Sequence, residues 1–357
     1  MTMIALRRCA GATLGALMLT MATMAAAENT MTIAHLYPDS LTDNDVAPSL
    51  AHFKQLVESA TGGAIEVKVF GAGALGQEVE TGKQVQTGKL VQSVLISSGA
   101  MSSFYKNYQI VTTPFLFSSY HVAWEFFDSE WFAEFMGGVL ETSRLRYLGT
   151  LDDAGGFVAF TNNKRLIKTM DDVAGLNIRV EENPAHVATM RALGASATPL
   201  PWGEVHTALA TGLADGQFNA PGVSKSFKLW EVNDYTTWSG HVFNTLTWLV
   251  SDAWLSALPD AHRLAVVRAA RESVRMARGI STQMSVVGWA ESCKRFKACH
   301  VLSESEKAKM RAVTRPAFKA WITGDFGIPA AEVEAMWAAV AQIEAELDRR
   351  ARERYLR

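Results

Sequence analysis

The sequence predicts an α/β fold arranged as two lobes, and three observations predict it. Residues 175–221 read as strand, helix, strand, helix, strand with short turns, an alternation that builds right-handed crossovers and a parallel sheet. Residues 31–97 show the same alternation around three more short apolar strands. At 357 residues, 48% hydrophobic and 20% charged, the chain has enough apolar material to fill two units.

Residues 1–27 read as an export signal, outside the fold. Arg7 and Arg8 form a basic start, residues 9–24 are small and apolar, and Ala25, Ala26 and Ala27 make a small-residue cleavage site before Glu28. The apolar run is too short and too rich in Ala and Thr for a membrane span. Arg7 and Arg8 lack twin-arginine flanks and Cys9 comes too early for a lipoprotein, so the general secretory route and cleavage near Ala27 are expected. Cys293 and Cys299 then remain, either as a disulfide, which an oxidising compartment permits, or as two thiols. They lack the paired spacing of a zinc site.

Residues 31–36 alternate as a strand and end at His35 and the loop Tyr37-Pro38-Asp39. A helix over 46–60 carries Leu50, Phe53, Leu56 and Val57 on one face and stops at Gly62-Gly63. A strand over 65–70 leads into Gly71, Gly73 and Gly76, a literal GxGxxG, before a helix over 78–87. A dinucleotide fingerprint would need an acidic residue some twenty positions later. Residues 91–98 contain none, so that reading is rejected. Amides at the helix start by Glu78 remain available to a ligand anion. A strand over 92–97 ends at Ser98, and residues 104–117 read as core. One helix is expected over 121–134. Two strands, 147–151 and 157–161, flank a hinge-like loop at 152–156.

In the strand over 176–180, a period of two puts Leu176, Ile178 and Val180 on one face and Asn177, Arg179 and Glu181 on the other. An arginine within a short apolar strand is costly unless a partner neutralises it. Asn183 and Pro184 suit the N-cap and first turn of the following helix. A strand near 197–200 ends at Trp202, and a third over 216–219 ends at Asn219. Arg179, Trp202 and Asn219 therefore sit at the carboxyl ends of neighbouring parallel strands, the edge where open α/β sheets bind ligands. Arg179 offers a planar fork for a carboxylate, Trp202 a wall, and Asn219 a donor and an acceptor. The alternative pairs Arg179 with Glu181 or Glu182 on the surface. Further on, 241–250 reads as a buried strand, 259–296 as an unusually long helix, and 304–318 and 329–354 as helices.

The stretches DDVAGLNIRVEENP and LGASATPLPWGEVHTALATGLADGQFN resemble the core of DctP-type solute-binding proteins of TRAP (tripartite ATP-independent periplasmic) transporters. LGQE at 75–78, SSGA at 97–100 and KLWEVNDYTTWSG at 228–240 are similar to that family as well. The resemblance covers nearly all of 30–345. It implies a two-lobed periplasmic-binding-protein-like fold, with a hinge between the lobes and a long helix spanning both. The expected first lobe is 28–152 with 241–280, and the second is 153–240 with 281–357. The family's carboxylate-binding arginine falls on Arg179 and its ligand-contacting asparagine on Asn219. Trp202, Phe157 and Phe218 would supply ring surface, and Ser98, His35, Glu78 and His241 lie near the expected pocket edges. A second arginine common in the family is absent, since residues 156–158 read Gly-Phe-Val. A single-carboxylate ligand is therefore expected. The resemblance also implies membrane permease subunits as partners and a periplasmic location.

The formal charge of −2 gives no electrostatic case for nucleic acid. There is no HExxH, GxSxG, Walker loop or CxxC, so no metal, cofactor or catalytic residue is expected. Asp152 and Asp153 are adjacent, and on an extended chain they point opposite ways rather than flanking one bond. The competing reading is a periplasmic enzyme acting on organic acids. It would need His206 or Glu204 as base, and these lie two apart on a helix and face apart. An exported binding protein, acting as a monomer, is the favoured expectation.

Overall fold

A computed structural model describes residues 29–356; the expected signal and its cleavage site lie outside them. In chain order the elements are β1 (Asn29–Ala34), α1 (Val46–Ala60), β2 (Ile65–Phe70), α2 (Glu78–Thr87), β3 (Ser93–Ser97), α3 (Ser98–Met101), α4 (Tyr120–Phe127), α5 (Glu130–Ser143) and β4 (Leu145–Asn162). Then come β5 (Asn177–Val180), α6 (Pro184–Ala192), β6 (Ser196–Pro199), α7 (Val205–Thr211), β7 (Gly216–Asn219), α8 (Pro221–Ser226) and β8 (Tyr235–Ser251). The chain finishes with α9 (Asp252–Ala257), α10 (Asp260–Arg295), β9 (Ala298–Val301), α11 (Glu304–Thr323) and α12 (Ala330–Tyr355).

The strands join in the order β2-β1-β3-β8-β4-β7-β5-β6, with β9 on β8. β1 runs parallel to β2 and β3, and β5 runs parallel to β6 and β7. These two parallel blocks lie at opposite ends of the sheet. The long antiparallel strands β4 and β8, of 18 and 17 residues, connect them. The fold is therefore two-lobed α/β, and both lobes share the two long strands.

Each block has its own apolar filling. Met31, Ile33, Leu50, Phe53 and Trp248 pack in one, with the Phe53 and Trp248 rings 4.8 Å apart. Phe160, Ile178, Val180, Phe218 and Leu302 pack in the other. A third cluster of Phe117, Phe126, Phe127, Phe132 and Phe243 fills the space under α4 and α5. The 36-residue α10 lies against α1, β4 and α8. Gly288 lets it approach closely, because a Cβ there would come within 2.5 Å of the Pro221 carbonyl. A disulfide between Cys293 and Cys299 ties the end of α10 to β9, with Cα atoms 5.4 Å apart.

The fold departs from expectation in three places. The single helix expected over 121–134 is two helices, because Ser129 accepts from Phe132 N at 3.1 Å and caps a new start. The hinge-like loop at 152–156 is internal to β4. There the pairing with β8 slips between Asp152 and Phe157, and Ala154, Gly155 and Gly156 take positive φ of 46, 126 and 61°. The surplus residues form an irregular bulge instead of ending the strand. Residues 235–240 belong to β8, since β4 continues far enough to pair with them.

Candidate functional site

The site forms where the carboxyl ends of the two parallel blocks face each other. On β5, Ile178 and Val180 are buried in the core, and Arg179 points the other way. Arg179 is only 2% exposed, yet none of the ion pairs among the described residues includes it. Its Nε and Nη2 donate to the Leu200 carbonyl at 3.0 and 2.6 Å, and Nη1 donates to no acceptor among the described residues. Its Cζ lies 5.6 Å from the Trp202 ring centre. Burial lowers its pKa to about 10, so it remains a cation at neutral pH.

Asn219 ends β7. Its Nδ2 donates to Gln217 Oε1 at 2.6 Å and its Oδ1 accepts from Asn244 at 3.3 Å. Trp202 stands just after β6 and meets Phe227 edge-on at 4.7 Å, and Phe227 lies 5.4 Å from Tyr37. Arg179, Asn219 and Trp202 line one cavity of about 750 Å³, counted out to its mouth.

The opposite wall comes from β1 and α2. His35, Tyr37 and Glu78 line it. The glycine loop at 71–76 closes on this wall: Ala72 N donates to Tyr37 O at 2.7 Å and Gly73 N to His35 O at 3.1 Å. A Cβ on Gly71 would lie 2.8 Å from the His35 ring, so the loop's glycine serves close packing. Neither ring nitrogen of His35 has a hydrogen-bond partner among the described residues, and burial lowers its pKa to about 4, leaving it neutral.

Carboxylates crowd the same space. Glu78, the first residue of α2, accepts from Ser97 N and Ser97 Oγ, both at 2.7 Å. Burial, then the charge of Glu181, raises its pKa to about 8. Asp153 accepts the Tyr37 hydroxyl at 2.5 Å, and burial raises it to about 7. Glu181 accepts from Ser98 Oγ at 3.1 Å and Gly99 N at 2.8 Å; burial pushes its pKa up and Arg179 pulls it back.

Of the residues expected from sequence, Arg179, Asn219, Trp202, His35 and Glu78 line the cavity. Ser98 stands behind the wall and holds Glu181. Three expected residues are elsewhere. Phe218 is buried on the far face of β7, because neighbouring strand residues alternate and Asn219 has the cavity side. His241 stacks on Phe160 at 4.4 Å, bonds Ser239 Oγ through Nδ1 at 2.7 Å, and is driven by burial to a pKa of about 3. Phe157 sits edge-on to Phe243 at 4.8 Å and to Tyr120 at 5.0 Å, away from the cavity lining. Tyr37, Asp153, Glu181 and Phe227 line the cavity without having been expected there. Strand periodicity alone marks Glu181, two residues from Arg179. His206 is exposed, 3.9 Å from Glu231, and outside the cavity.

The profile of the family described as bacterial extracellular solute-binding protein, family 7 (DctP), matches residues 42–324. The chain belongs to this family. A relative called solute-binding protein from Verminephrobacter eiseniae is 31% identical over 264 residues, covering 74% of this chain and 77% of the relative. The sugar acid binding protein DctPAm of Advenella mimigardefordensis, solved with galactonate, superposes with a TM-score of 0.81 at 26% identity, over 88% of this chain and 98% of that one. A shorter match of 43% over 86 residues, 24% of this chain and 25% of the relative, is to the ectoine/5-hydroxyectoine-binding periplasmic protein UehA of Ruegeria pomeroyi. Other similar structures are TRAP periplasmic solute-binding proteins. This DctP-family chain is thus a TRAP-type solute-binding protein, and members of its family bind small organic acids in the periplasm. Among the described residues no cluster of His, Cys, Asp or Glu is placed to hold a metal, and no helix is long and apolar enough to cross a membrane.

Proposed function

We propose that this protein captures a small organic acid by clamping one carboxylate on Arg179 and delivers it to the membrane subunits of a TRAP transporter. The observation that carries the reading is Arg179: a cation 2% exposed, without an ion-pair partner among the described residues, on the wall of the cavity between the lobes. Its unused Nη1 and the neighbouring amide of Asn219 supply the donors. Trp202, Tyr37 and Phe227 supply ring surface for the body of the ligand, and closure of the lobes excludes water.

The protein acts without chemistry on its ligand. This reading is supported by the relatives and solved neighbours, which are described as solute-binding proteins. Residues 1–27 direct export to the periplasm, where the protein works as a monomer. The relatives' ligands set the screen: sugar acids, C4-dicarboxylates and ectoines. A thermal-shift screen of the purified protein over those acids should find a compound that raises Tm, as binding to the folded state alone requires. Turnover of that compound, or no shift with any acid, overturns the reading.

A further inference from the structure

The charges lining the cavity do not match a simple anion. One guanidinium, Arg179, faces four carboxyl groups, Glu78, Asp153, Glu181 and Glu182, and no lysine lines the space. His35, 3% exposed and with both ring nitrogens unpartnered, adds no positive charge. A bound carboxylate would satisfy Arg179 and leave the carboxyl groups around it without a cationic partner from the lining. Glu78, Asp153 and Glu181 are held by hydrogen bonds, while Glu182 is exposed. Asp153 is 6% exposed and fixed by Tyr37, and its second oxygen accepts from no protein donor among the described residues. Beside it, the rings of Tyr37, Phe227 and Trp202 run in sequence at 5.4 and 4.7 Å. Ring faces next to free carboxylate oxygens attract organic cations.

We propose that the ligand is a compact zwitterion, with its carboxylate on Arg179 and Asn219 and a positively charged nitrogen held against Asp153 and the Tyr37-Phe227-Trp202 rings. The inference rests on the carboxylate reading above and names the other end of the ligand. Protonated or alkylated cyclic amino acids and amidinium acids have this chemistry. Sugar acids and dicarboxylates do not. The high pKa values of Glu78 and Asp153, raised by burial first and by the Glu181 charge after it, fit the same account, because a bound cation would favour their charged forms.

Matched pairs test it. Pipecolate and cyclohexanecarboxylate, and proline and cyclopentanecarboxylate, differ in replacing a ring carbon with a charged nitrogen. They would be titrated calorimetrically into the purified protein beside ectoine, galactonate, erythronate and succinate. At least one nitrogen-bearing acid should bind about tenfold or more tighter than its carbocyclic partner and than every nitrogen-free acid. Asp153→Asn should erase most of that preference. If a nitrogen-free acid binds as well as or better than every zwitterion, the zwitterion is wrong and the carboxylate clamp stands. If no acid of any kind binds, both fail. The wild-type comparison decides the matter even should Asp153→Asn fold poorly.

Discussion

Glu181 bonds to Ser98, accepting its hydroxyl at 3.1 Å and the neighbouring Gly99 amide at 2.8 Å. Ser98 stands beside β3 and Glu181 follows β5, so the bonds join the two parallel blocks of the sheet. Bonds of this kind would break if the two blocks moved apart on ligand release, which makes them a candidate latch. Hydrogen bonds to a charged group are worth about 1.5–3 kcal/mol. Ser98→Ala should therefore speed ligand release by about tenfold or more, measured by stopped-flow tryptophan fluorescence. An unchanged rate would show that the latch does not contribute to closure.

Gly99 provides a stronger test of closure. Its backbone is not in the left-handed region, but a Cβ there would lie 2.6 Å from Glu181 Cβ. Gly99→Ala therefore leaves each lobe undisturbed and obstructs only their meeting. Small-angle scattering should give a larger radius of gyration than wild type in saturating ligand, together with weaker binding. Wild-type compaction on adding ligand would contradict the assigned contact.

Stability should depend on pH in a defined direction. Burial raises Glu78, Asp152 and Asp153 to about 8, 7 and 7 in the folded protein. Groups raised on folding contribute fully below their unfolded pKa, and the contribution is lost as pH rises through the folded value. His35, His186 and His241, lowered by burial to about 4, 3 and 3, act oppositely. Their contribution is complete above the unfolded histidine value and is lost as pH falls below it. The unliganded protein should thus melt highest near about pH 6 and lose several degrees by about pH 8.5. Asp152→Asn should flatten the alkaline limb in calorimetry. A Tm that climbs across that interval would contradict the burial of these acids.

The disulfide closes a loop of few residues. In the chain-entropy account such a loop stabilises by about 2 kcal/mol. Cys293→Ser with Cys299→Ser should lower Tm by a few degrees and leave ligand affinity intact, since the bridge joins α10 to β9 away from the cavity. A loss of affinity would mean that the end of α10 takes part in closure.

Much of this was legible in the sequence because it depends on local rules. Asn183 caps α6 through Ala185 N at 2.9 Å with Pro184 in the first turn, as its position implies. The period of two that exposed Arg179 on β5 needs only four residues. The same rule, applied to β7, separates Phe218 from Asn219 and removes one expected contact. What stayed illegible depends on distant segments. Phe227 and Tyr37 meet only after β1 and α8 come together, and Asp153 reaches the cavity through a bulge set by the pairing of β4 with β8. His241 looked like an edge residue until β8 proved long enough to bury it beside Phe160.

The central claim is that Arg179 holds the ligand's carboxylate, and calorimetric titration of Arg179→Ala and Arg179→Lys with the acid that stabilises wild type tests it most directly. Losing one partner of a buried charge pair costs about 2–5 kcal/mol. Affinity should fall by at least about thirtyfold in the alanine variant. The lysine variant should recover only part of it, because an ammonium lacks the planar fork. Wild-type affinity in Arg179→Ala, with the variant folded, would contradict the account.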